Sequence, residues 1–137
     1  IKLFVQGDGV SETVPVTALT DKTAQTQTPL TSASGKKGTL DEIRVNTNRI
    51  SFRYTLPDYL EPSAQWDTDW KEYVYGTPDV TVTFADGSET QLKPTELYGE
   101  QDAQNFDCYT HYFTLRDGIQ LKNAASLTVN GTQYTLR

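Results

Sequence analysis

The residues best suited to chemistry crowd between Tyr59 and Tyr75. Tyr59, Trp66, Trp70, Tyr73 and Tyr75 fall in this segment, interleaved with Asp67, Asp69 and Glu72. Exposed aromatic rings stack on sugar faces and anchor protein interfaces. If residues 63–72 form a short helical turn, Trp66 and Trp70 share a face at i, i+4. The five aromatics are the candidate ligand platform. The competing role, and the default one for Trp, is a lid packed over one end of a core. Asp67, Asp69 and Glu72 resemble a fragment of a calcium loop, although the sharp-turn Gly is missing and further oxygen ligands are not evident. They are the candidate metal ligands.

Other chemistry has less support. His111 is the only histidine and lies three residues from Cys108, the only cysteine. In a strand, odd spacing sends two side chains to opposite faces, so a Cys–His dyad is disfavoured. A lone cysteine also rules out an internal disulfide and a Cys-based zinc site. The sequence holds no Gly-x-Ser-x-Gly, P-loop or His-Glu-x-x-His pattern. A hydrolytic carboxylate pair needs only two acids at a set separation, and nothing in the spacing points to one. No catalytic residue and no cofactor is expected.

Charge narrows the partners. The formal net charge is −6. Twelve of the 18 acids lie between Pro57 and Asp107, against only Lys71 and Lys93, a local balance of −10. A nucleic-acid binder needs a basic footprint to displace phosphate counterions, and this chain lacks one. No apolar run approaches the roughly 18 residues that cross a bilayer. The sequence contains no Met and starts Ile1-Lys2-Leu3-Phe4. That start reads as a processed chain or a piece of a longer one, with any membrane anchor elsewhere.

The elements that must carry these residues read as strands, because apolar residues recur at period two rather than 3.6. Ile1, Leu3 and Val5 alternate. Val14, Val16 and Ala18 follow around Pro15, which fits an edge strand or arm. Thr20 to Gly38 is rich in Thr, Ser and Gln and reads as a long loop. Leu40 to Leu56 holds two alternations in opposite phase, Ile43/Val45 and Ile50/Phe52/Tyr54/Leu56. Asn46-Thr47-Asn48 between them marks a turn or a bulge. Tyr73 and Tyr75 read as the start of another strand before Gly76. Val80 to Phe84 turns at Asp86-Gly87 and returns through Thr90 and Leu92. Phe106 to Leu115 is a strand with aromatics on both faces. Leu127 and Val129 turn at Asn130-Gly131 and return through Tyr134 and Leu136. Asn130-Gly131-Thr132 also matches a glycosylation acceptor, although the tight turn already explains it.

Seven or eight strands with turns at this spacing predict an all-β, immunoglobulin-like antiparallel β-sandwich. Residues 39–137 would form the sandwich. Residues 1–38 would form an N-terminal ribbon or arm plus the loop.

Three stretches carry a family resemblance: Ile50-Ser51-Phe52-x-Tyr54, Val80-Thr81-Val82-Thr83-Phe84-Ala85-Asp86-Gly87, and the run from Leu115 through Leu121-Lys122-Asn123-Ala124-Ala125-Ser126-Leu127-Thr128-Val129-Asn130-Gly131-Thr132 to Leu136. Together they resemble the immunoglobulin-like extracytoplasmic region of membrane-anchored anti-sigma-factor-like proteins of Gram-positive bacteria, over about Leu40 to Arg137. The resemblance implies a non-catalytic sensing or interaction domain, tethered at the cell surface by a segment outside this chain. Its partner would be a protein or a cell-envelope component. The alternative is a carbohydrate-binding module that takes a glycan on the Tyr59–Tyr75 aromatics.

Overall fold

The computed structural model describes residues 21–57, 70–116 and 121–137. It contains β1 (Lys22–Thr31), β2 (Lys37–Val45), β3 (Arg49–Thr55), α1 (Lys71–Tyr75), β4 (Val80–Phe84), β5 (Glu89–Leu92), β6 (Glu96–Gln101), β7 (Cys108–Thr114), β8 (Ala124–Val129) and β9 (Thr132–Thr135). The strands form two antiparallel sheets. The larger runs β1-β2-β3-β7-β6 and the smaller β5-β4-β8-β9. They pack as an all-β sandwich.

Period-two alternation decides which side chains fill the space between the sheets. Ile43, Val45, Ile50, Phe52, Tyr109 and Phe113 line the inner side of the larger sheet; Val80, Val82, Leu92, Leu127 and Val129 face them from the smaller. Fully burying such a side chain contributes roughly 1.5–3 kcal/mol. The opposite phases on either side of Asn46 resolve as two strands joined by a turn, with Val45 opposite Ile50 and Ile43 opposite Phe52. The Asn46 side-chain oxygen accepts hydrogen bonds from the Asn48 and Arg49 amides at 3.3 and 3.1 Å, holding the turn. At the other predicted turn Asn130 and Gly131 both have positive φ, 50° and 88°, as a two-residue hairpin requires.

Several elements differ from the sequence reading. The stretch read as a loop supplies β1, whose partners run from Lys22 opposite Val45 to Thr31 opposite Lys37. Thr and Gln suit a half-exposed edge strand, and only Ala24 in β1 is fully buried. The turn is confined to Ser32–Lys36, where the Ser32 amide donates to the Lys36 carbonyl at 2.9 Å. Tyr73 and Tyr75 lie in α1 rather than in a strand. The strand expected from Phe106 starts at Cys108, and Phe106 is 66 % exposed. β6 had no counterpart in the sequence reading. The expected strands at Ile1–Gln6 and Val14–Ala18 lie outside the described residues.

The sandwich is fastened on two sides. Thr23 and Arg137 exchange backbone hydrogen bonds at 3.0 and 2.9 Å, tying β1 to the segment after β9. On another flank α1 packs against β6 and β7. There a Cβ on Gly99 would run into Val74 Cγ1 and lie 2.9 Å from the Val74 carbonyl oxygen. The glycine permits that close approach.

Candidate functional site

The described members of the predicted aromatic platform do not form a shared exposed face. Trp70 is fully buried. Its indole Nε1 donates to the Pro57 carbonyl at 3.1 Å, and its ring lies 5.7 Å from that of Tyr73. It is a core residue, as large rings become when a capping segment must close the end of a sandwich. Tyr73 is half-buried, and its hydroxyl donates to the Thr31 carbonyl at 2.9 Å. Tyr75 is half-buried on the same short helix, and Glu72 is exposed. Tyr59, Trp66, Asp67 and Asp69 lie outside the described residues. Among the described residues no cluster of three or more His, Cys, Asp or Glu is placed to hold a metal ion.

Two of the concave places among the described residues combine side chains from several elements. The first is an end cavity of about 350 Å³ between α1, β3, β7 and the β8–β9 turn, lined by Tyr54, Tyr73, Glu72, His111 and Asn130 among others. His111 is only 1 % exposed. Its Nδ1 lies 3.0 Å from the Tyr73 carbonyl, and among the described residues its Nε2 has no hydrogen-bond partner. Burial pulls the imidazole below its usual range, more strongly than the Tyr73 carbonyl raises it. It is therefore neutral, with Nδ1–H donating. Burial also pushes the Tyr54 phenol well up, and burial followed by Glu72 raises Tyr73. The cavity thus holds a neutral imidazole and two protonated phenols. Cys108 does not join them: it pairs with Thr55 while His111 pairs with Phe52, on the other side of the strand. A nucleophile with an adjacent base is the minimum for covalent catalysis, and the described lining supplies no such pair.

The second place is a groove of about 300 Å³ on the outer face of the larger sheet. Strand register builds it. One cross-strand row runs Arg44, Ser51, Tyr112, Tyr98, and the next runs Glu42, Arg53, Thr110, Glu100. Ser51 and Thr110 are short and sit mid-sheet, while the arginines and Tyr112 are long. Short side chains between long ones make a trough. Three of the five arginines, Arg44, Arg49 and Arg53, line it with Asp21 and Glu42. The described lining thus sets three cations against two carboxylates, and Asp102 at its edge meets Arg53 as a third.

The arginines differ in their partners. Arg44 reaches Glu42 at 3.4 Å and Asp21 at 4.0 Å; Arg53 reaches Asp102 at 3.6 Å. Among the described residues Arg49 has no carboxylate partner. Its guanidinium carbon lies 4.7 Å from the centroid of the Tyr112 ring. Tyr112 in turn stacks on Tyr98, with ring centroids 4.7 Å apart and planes 29° from parallel. Burial, then a hydrogen bond to Glu100, raises the Tyr112 phenol above its usual range and keeps it neutral. Sequence reading missed this groove. The available signal was Arg49-x-Ser51-x-Arg53, polar residues alternating with the buried Ile50, Phe52 and Tyr54. The chain matches no protein-family model, no curated protein and no solved structure.

Proposed function

We propose that this chain is a non-catalytic recognition domain presented outside the cytoplasm, as part of a membrane-anchored regulatory protein of the anti-sigma-factor-like kind or of another cell-surface protein. Its sandwich belongs with the immunoglobulin-like architectures, and its partner is a component of the cell envelope. The observation that carries this reading is the groove on the outer face of the larger sheet, a polar trough in which Arg49 has no carboxylate partner among the described residues. Such a surface selects anionic partners and steers them by charge. The resemblance over Leu40–Arg137 supports the location. No helix among the described residues is long and apolar enough to cross a membrane, so on this reading the anchor lies outside them.

Co-sedimentation of the full chain with isolated Gram-positive cell envelopes tests the proposal. The chain should pellet with envelopes, and the triple variant Arg44→Ala, Arg49→Ala, Arg53→Ala should stay in solution. Equal pelleting of both, or of neither, counts against it.

A carbohydrate-binding module on the Tyr59–Tyr75 aromatics is the second reading. Tyr73 favours it by lining the end cavity, while Trp70, buried in the core, cannot serve as an open platform.

A further inference from the structure

We infer that the groove on the outer face of the larger sheet binds a carboxylate-bearing sugar, a uronate unit of an acidic polysaccharide, with the carboxylate on Arg49. The inference rests on the proposal that this face is the recognition surface, and it names the ligand class.

The lining gives the ligand its chemistry. Arg49 faces the trough without a carboxylate partner among the described residues, and its cation lies over the Tyr112 ring. A guanidinium held on an aromatic face loses less side-chain freedom when it pairs with an anion, and its donor fork matches the two oxygens of a carboxylate. Arg44 and Arg53 are engaged by Glu42, Asp21 and Asp102. Their charges are partly met within the protein, which leaves Arg49 as the groove cation with the most charge to offer. Asp21 and Glu42 put acceptors in the same trough as the Ser51 and Thr110 hydroxyls. Donors and acceptors of both kinds, close together over a polar floor, fit the hydroxyl groups of a sugar ring.

A peptide partner fits less well. Stable peptide and protein contacts concentrate on buried apolar anchors, with charge depleted at the centre. Here uncharged hydroxyls form the floor between charged walls, no apolar anchor lines it, and Tyr112 is the one aromatic among the described lining residues. The volume, about 300 Å³, falls at the small end of ligand-sized clefts and suits one or two sugar rings rather than a folded surface. Tyr98, 39 % exposed beside the trough, offers a ring face for the neighbouring sugar.

Affinity electrophoresis of the full chain through gels containing polygalacturonate, alginate or hyaluronan tests this. Fully methyl-esterified polygalacturonate serves as the uncharged twin and poly-glutamate as the acidic peptide control. At least one polyuronate should retard the chain, less so as salt rises. Neither the ester nor poly-glutamate should do so. Arg49→Ala should weaken retardation about tenfold or more, the loss of a charge-assisted hydrogen-bonded pair, and Arg49→Lys should restore part of it. Far-UV circular dichroism of both variants should match the parent, because Arg49 is not a core residue. Retardation by none of the three polyuronates, or retardation indifferent to Arg49→Ala, overturns the inference. Arg49-dependent binding of the ester or of poly-glutamate overturns the sugar-carboxylate assignment and leaves the recognition face standing. The envelope co-sedimentation of the triple variant judges that face separately.

Discussion

The guanidinium of Arg49 sits over the ring of Tyr112, 4.7 Å from its centroid, on the outer face of the larger sheet. The two residues are not directly paired: Arg49 lies opposite Thr114, and Tyr112 opposite Ser51. Their contact is a diagonal one, within reach of long side chains on one sheet face. The ring thus holds in place the one groove arginine that has no carboxylate partner among the described residues.

That relationship predicts a graded loss of function with little loss of stability. Tyr112→Leu removes the ring face but keeps a strand-compatible side chain. Binding of whatever occupies the groove should weaken about two- to fivefold, in line with a cation–π contact of roughly 0.5–1 kcal/mol at an exposed site. The urea midpoint should move little. A binding curve and an unfolding curve on the same preparation check both parts.

Trp70 separates a core from a platform. It is fully buried, against Tyr73 and beneath the close approach of Gly38. Trp70→Ala should cost about 3–5 kcal/mol of folding stability, read by urea denaturation. Any population that remains folded should bind its partner as the parent does. Full stability with lost binding would instead place Trp70 at a ligand site.

Gly99 is a steric prediction. A methyl group there meets Val74 on α1. Gly99→Ala should destabilise by about 1–3 kcal/mol, the usual range for overpacking. Gly99→Ala should cost less in a Val74→Ala background than in the parent, because the side chain in the way is already gone. Thermal melts of the parent, the two single variants and the double variant decide it.

His111 makes stability depend on pH. Burial lowers its folded-state pKa below the unfolded value near 6.5. Between those two values the unfolded chain binds a proton that the folded chain excludes, so stability falls as pH drops. The contribution is fully present above about pH 6.5 and is lost as pH falls through the folded pKa. His111→Gln should flatten the slope of unfolding free energy below about pH 6.5, where the unfolded imidazole takes up a proton. An unchanged slope would mean that the imidazole is not what titrates there.

Much of the sandwich was legible because its alternating apolar residues lie in short runs closed by strong turns. Ile50, Phe52 and Tyr54, Val80 and Val82, and the Asp86-Gly87 and Asn130-Gly131 turns announce themselves locally. β1 was not legible. An edge strand of Thr and Gln has the composition of a loop, and its order comes from hydrogen bonds to β2 rather than from its own burial. The segment at α1 misled for a related reason. Tyr73-x-Tyr75 has the strand period, but Trp70 and Val74 at i, i+4 bury on one side of a single helical turn. The groove was hidden more deeply. Ser51 and Thr110 are 59 positions apart in the chain, and the register of β3 on β7 makes them floor neighbours.

Amide chemical-shift mapping tests the central claim most directly. The uniformly 15N-labelled chain is titrated with a soluble uronate oligosaccharide, such as a short oligogalacturonate. The largest shifts should fall on Arg49, Ser51, Thr110 and Tyr112 and their cross-strand neighbours, and should vanish in Arg49→Ala. Shifts confined to α1 and the His111 cavity, or no shifts at all, would contradict the assignment of the outer sheet face as the surface that recognises an acidic sugar.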